Sequence, residues 1–127
     1  MLTAKVANAV SATSVLVSAS AANTAAATSA WIDVSAYEGF LVFTQAVGTI
    51  TGTLDGIIQH ATDGSGTGAA TAAAFSTQVT TSNDAPNVQK AIVECNAIGS
   101  HVRYLGTVGT GPSIVGVTML GTLKTVP

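Results

Sequence analysis

The sequence predicts an all-β protein: an antiparallel β-sandwich, jelly-roll-like, of about seven to eight strands preceded by an extended N-terminal arm. Three observations carry that reading. The chain holds 22 Ala, 19 Thr and 13 Gly against three Phe, two Tyr and one Trp in 127 residues, so its core must be built from small and β-branched side chains, which suit a pleated surface. Apolar residues recur with a period of two in short runs. Gly-, Asp- and Asn-bearing turn signals separate those runs at intervals of about ten to fifteen residues. The length is that of one domain with a single core.

Residues 1–29 differ from the rest. They are mostly Ala, Ser, Thr and Val, without turn signals or aromatics. The segment reads either as an extended arm or as an additional edge strand around Ser14 to Ala19, and both placements stand at this stage. It is too apolar to stay solvated and has no core of its own, which suits docking on a neighbouring subunit. The expected contact residues are Val6, Val10, Val15, Leu16 and Val17, with Trp31 just beyond. The same segment has the outline of a secretory leader, with Lys5, the apolar run Val6 to Val17, and Ala19 to Ala22. Asn8, Ser11, Thr13 and Ser14 break its apolar stretch, so secretion is not the expected reading.

Residues 30–127 are read as the sandwich. Trp31 to Val34 opens it, with Ile32 and Val34 on one face, and Trp31 is expected to plug the core or cover one end. Gly39 to Val47 is a longer apolar run suited to a central strand, and Gly48 and Gly52 bracket the turn after it. Leu54, Gly56 and Ile58 then share one face while Asp55, Ile57 and Gln59 take the other. The chain reverses at Asp63 to Gly68, where glycines and Asp favour positive φ and Asx turns. Ala69 to Ala74 has the best helix propensity of the chain, but six residues are too few to hold a helix alone. Phe75 to Thr80 alternates as a strand does, and Ser82 to Asn87 is a turn. Val88 to Cys95, His101 to Val108 and Ser113 to Leu123 complete the set. In the middle one of these, Val102, Tyr104 and Val108 oppose His101, Arg103 and Thr107.

Charge excludes several functions. Only 8% of residues are charged and the net charge is −2, against roughly a quarter charged in an ordinary soluble domain. Lys5, Lys90, Arg103 and Lys124 are scattered, so no basic patch exists to neutralise phosphates and nucleic acid is not an expected partner. The uncharged stretch from Val6 to Ile32 is interrupted throughout by Ser, Thr and Asn and lacks the ~20 strongly apolar residues of a spanning helix. A water-soluble chain this poor in charge fits best with part of its surface covered, as in a subunit of an assembly.

The inventory for chemistry is thin. His60 and His101 lack a second ligand at metal-site spacing. The lone Cys95 has no disulfide partner within the chain and reads as a buried apolar thiol. Asp55, Asp63 and Asp84 are far apart, and turn chemistry explains the last two. Gly64, Gly66 and Gly68 lack the Lys-Ser/Thr ending of a phosphate loop and provide too few oxygen ligands for calcium. Catalytic residues, cofactor and metal are therefore expected to be none, and the protein is not expected to be an enzyme.

The segments Trp31-Ile-Asp-Val-Ser-Ala-Tyr-Glu-Gly-Phe-Leu, Val47-Gly-Thr-Ile-Thr-Gly-Thr-Leu-Asp and Ile58-Gln-His-Ala-Thr-Asp-Gly-Ser-Gly-Thr-Gly resemble small structural proteins encoded among the head genes of tailed bacteriophages. The similarity continues through Phe75-Ser-Thr-Gln-Val-Thr, Val102-Arg-Tyr-Leu and Gly116-Val-Thr-Met-Leu-Gly, so it spans Trp31 to Leu123. The resemblance implies a capsid decoration or cement protein of the virion. Such a protein binds the major capsid protein on the outer capsid surface at capsomer junctions, as a homo-oligomer of two or three copies. Similar sandwiches occur in tails and fibres, which makes a tail- or fibre-associated domain the alternative. A secreted carbohydrate-binding module is a third reading, opposed by the low aromatic content and the weak leader.

Overall fold

Alternation of buried and exposed side chains builds two sheets packed face to face. The computed structural model describes residues 9–21, 26–80, 88–110 and 112–124. Their strands are β1 (Val10–Ala21), β2 (Ala26–Thr28), β3 (Ile32–Asp33), β4 (Tyr37–Ile50), β5 (Thr53–Ala61), β6 (Ala70–Ala74), β7 (Val79–Thr80), β8 (Val88–Glu94), β9 (His101–Val108) and β10 (Ser113–Leu123), with a 3₁₀ turn at Cys95–Ala97. One sheet has the order β1-β10-β4-β8, and the other has β2-β9-β5-β6 with β3 alongside β9 and β7 alongside β5. All pairings are antiparallel. The all-β antiparallel architecture expected from the sequence is therefore present.

The inner faces follow the predicted period. Leu54, Gly56 and Ile58 of β5 face inward, as do Val102, Tyr104 and Val108 of β9. From the other sheet Leu41, Phe43 and Val47 of β4, Ala91 and Val93 of β8, and Val115, Val117 and Met119 of β10 meet them. Two polar side chains also enter this core. Gln45 is 1% exposed and its Oε1 accepts a 2.5 Å hydrogen bond from the Tyr104 hydroxyl, which joins the two sheets through their centre. Burial pushes the Tyr104 phenol well above its ordinary pKa, so it remains a donor. Gly56 makes room for this pair: a Cβ there would run into Gln45 Oε1, Phe75 and Tyr104.

Two elements depart from expectation, and the alanine run takes a definite form. Phe75 to Thr80 is not one strand: Phe75 N–H donates to the Gly56 carbonyl and Val79–Thr80 pairs with β5, while the residues between them leave the ladder. The buried Gln89 amide takes over the pairing of Thr77, accepting from its N–H at 3.1 Å and donating to its carbonyl at 2.9 Å. Ala70–Ala74 is a strand on β5, because small side chains let it close against that sheet edge. Trp31 is half-buried and stands outside the core cluster. The turn expected over Ser82 to Asn87 lies outside the described residues.

The N-terminal segment takes a sheet edge in this chain. β1 pairs with β10 from Val10 opposite Thr122 to Ala21 opposite Ser113, with register shifts after Ser14 and after Leu16. β2 then crosses to the other sheet against β9, and Ser29 continues that pairing. Its N–H donates to the Tyr104 carbonyl, and its Oγ accepts from the Tyr104 N–H.

Candidate assembly surface

Among the described residues, Asp33, Asp63, His60 and Ser100 are engaged in holding loops. Asp63 accepts from the N–H groups of Ser65 and Thr67, and the hydrogen bonds from Thr67 hold its carboxyl below its usual pKa. Asp33 accepts from Ser35 N–H, and its pKa is lowered for the same reason. His60 Nδ1 accepts from Gly99 N–H, which assigns its proton to Nε2 in the neutral ring. Ser100 donates its one hydroxyl proton to the Thr62 carbonyl, so at the 2.7 Å contact His101 Nδ1 is the donor. Cys95 lines a cleft of about 110 Å³ beside Lys124, and burial pushes its thiol pKa up, away from the reactive thiolate. No group of three or more His, Cys, Asp and Glu side chains that could hold a metal occurs among the described residues. No helix among them is long and apolar enough to cross a membrane.

The unusual surface lies on the outer face of the β1-β10-β4-β8 sheet. Val10, Phe40, Val88, Ile92, Ile114 and Leu120, the six large apolar side chains that are exposed among the described residues, all belong to its strands. Their order follows from register. Ile92 lies opposite Val42, Val42 opposite Leu120 and Leu120 opposite Ala12, so one apolar row crosses all four strands. Phe40, 61% exposed, projects two residues along β4 from Val42. The neighbouring row, Lys90, Thr44, Thr118 and Ser14, is polar but carries one charge. Charge stays near the margins: Lys90 and Glu94 on the edge strand β8, and Glu38 at the start of β4. Burying exposed apolar area is favourable by roughly 25 cal/mol per Å², and contiguous patches of this kind mark interaction sites.

The opposite sheet presents another kind of surface. Asp55 accepts from Gln78, Gln59 accepts from Arg103 Nε at 2.8 Å, and the Arg103 guanidinium stacks on Trp31 at 4.5 Å. Gly66, with φ of +85°, brings its backbone against the same indole, and a Cβ there would sit 3.0 Å from the ring. Trp31 is thus held by its own chain on the outside of the second sheet.

Of the six residues expected to form a contact, the four whose side chains are described are not brought together. Val10 is exposed on the first sheet, Val15 is buried in this chain's core, Leu16 packs partly against that core and Trp31 lies on the other sheet. Val6 and the Val17 side chain lie outside the described residues. Phe40, Ile92 and Leu120 were not singled out by sequence reasoning. For Phe40 a signal was present in β4, where both phases of the alternation are largely apolar although a sandwich buries only one.

No family model matches the chain, and no curated protein matches it. Among solved structures it is similar to a chain from a structure described as Bacillus endospore appendages forming a novel family of disulfide-linked pili, at 19% identity over 91% of this chain and 89% of that one, with a TM-score of 0.49. It is also similar to PirA, at 11% identity over 90% of this chain and 93% of that one, with a TM-score of 0.46. Likenesses at this level carry no functional argument.

Proposed function

We propose that this protein is a non-catalytic structural subunit, which works by being built into a larger protein assembly through the outer face of its β1-β10-β4-β8 sheet. The observation that carries the reading is the apolar row Ile92, Val42, Leu120 and Ala12 with Phe40 beside it, on a chain whose residues are only 8% charged. A face of this kind is poorly used in water and well used against a partner. The assembly we favour is a tail, fibre or comparable filament, because a sandwich with one apolar face and sheet edges can be added to its neighbours without a dedicated pocket. Its test is the composition of purified assemblies: the chain should be found in isolated tails or fibres and be absent from heads.

A second reading, decoration of a capsid through the major capsid protein, is favoured by the resemblance of Trp31 to Leu123 to phage head proteins. In that case the chain would sit on the outer capsid surface and add contacts between capsomers. Cryo-EM of virions separates the two, since density of this size over capsomer junctions supports decoration and bare junctions exclude it.

A further inference from the structure

We propose that two copies of this chain pair antiparallel through β8, in the register that places Ile92 on the two-fold axis and Lys90 opposite the partner's Glu94. The inference deepens the assembly reading above and rests on it. β8 ends its sheet: among the described strands it is bonded only to β4. An edge strand offers a row of unpaired N–H and C=O groups to another chain. The two edges of this sheet differ in how they meet such a neighbour. β1 carries two register shifts, which bend an edge away from further pairing, whereas β8 runs from Val88 to Glu94 against β4 without one.

The charges on β8 select the register. Val88, Lys90, Ile92 and Glu94 face outward while Gln89, Ala91 and Val93 face the core. Pairing with a second copy must keep outward residues opposite outward ones, so the axis passes through a residue and not between two. An axis at Lys90 sets lysine on lysine, and one at Glu94 sets carboxylate on carboxylate. Axes at Ala91 or Val93 place a charge against Ile92. Only the axis at Ile92 gives two Lys90–Glu94 pairs, one on each side, with the two isoleucines in contact between them. The apolar row Ile92, Val42, Leu120 and Ala12 then meets its own copy end to end, so a single eight-stranded sheet presents an apolar face of doubled length.

Sedimentation equilibrium of the full chain tests this, from about 5 to 200 µM. The wild type should fit a monomer–dimer equilibrium. Lys90→Glu and Glu94→Lys, each on an exposed side chain, should each weaken the dimer about tenfold or more, since both symmetric pairs become repulsive, with an unchanged thermal midpoint at concentrations where the wild type is monomeric. The double variant Lys90→Glu with Glu94→Lys should regain the wild-type constant. Ile92→Cys in a Cys95→Ser background should oxidise to a disulfide-linked dimer, because residues directly opposed in antiparallel strands have Cα atoms about 4.5 to 5.5 Å apart. A wild type that stays monomeric over the whole range, single variants that dimerise as before, or a double variant that fails to recover would each overturn the pairing. A monomeric wild type that is still found in purified tails, fibres or heads overturns the dimer alone and leaves the structural role standing.

Discussion

The two sheets of this sandwich share an inner face and differ in what they turn outward. On the β2-β9-β5-β6 side the outer residues satisfy one another, as Gln78 with Asp55 and as Gln59 and Trp31 with Arg103. Among the described residues, the β1-β10-β4-β8 side leaves Phe40, Ile92 and Leu120 exposed with no comparable network over them. Folding accounts for both inner faces, because burial there is what holds the chain together. It does not account for the outer face of the β1-β10-β4-β8 sheet, and that is the ground for proposing that a partner covers it.

Substitutions can break that contrast, and the largest effect belongs to the shared core. Tyr104→Ala removes a fully buried ring and the partner of buried Gln45, and should destabilise by about 3 to 5 kcal/mol in urea unfolding. Gln89→Ala removes both hydrogen bonds to Thr77. It should cost about 2 kcal/mol, and faster hydrogen exchange at the Thr77 amide would be its signature. On the outer face of the second sheet, Trp31→Ala gives up its stack with Arg103 and should cost about 0.5 to 1 kcal/mol. A loss of ~3 to 5 kcal/mol would apply to a tryptophan buried in the core, whereas Trp31 is half-buried. Ile92→Ser or Leu120→Ser on the first sheet should change monomer stability by no more than about 0.5 kcal/mol. A large loss there would mean that this face is part of the fold and not a contact surface.

The smallest effect is electrostatic. Asp33 and Asp63 have folded pKa values below those of free carboxylates. Their contribution is complete above the unfolded carboxylate value and fades as pH falls through the lower folded values, so it is lost only below about pH 4. Asp63→Asn should lower the neutral plateau slightly and flatten the acid limb of the stability profile, because the carboxylate's contribution is then absent at every pH.

Much of the fold could be read from the sequence where one phase of a strand is apolar and the other polar. β5 and β9 are of that kind, and Leu54, Ile58, Val102 and Tyr104 face inward as the alternation requires. The Asp63 to Gly68 reversal was equally legible, because Asp63 can accept from two amides within its own loop. β4 was harder. One of its phases reads Leu41, Phe43, Gln45 and Val47 and the other Phe40, Val42, Thr44 and Ala46, so hydrophobicity does not mark which faces the core. Burial of Gln45 depends on Tyr104, 59 positions away, and no local pattern reports such a pair. For the same reason the break in Phe75 to Thr80 was hidden, since it is produced by Gln89. The contact surface was sought in residues 6–31, where charge is absent, whereas the exposed apolar row comes from four strands that only register brings side by side.

The most direct test of the account replaces Phe40, Ile92 and Leu120 together by Ser and follows the protein by two readouts: its unfolding midpoint, and its incorporation into the assembly from which the wild type is purified. The account predicts a midpoint near that of the wild type and loss of incorporation. A triple variant that incorporates as the wild type does would contradict it.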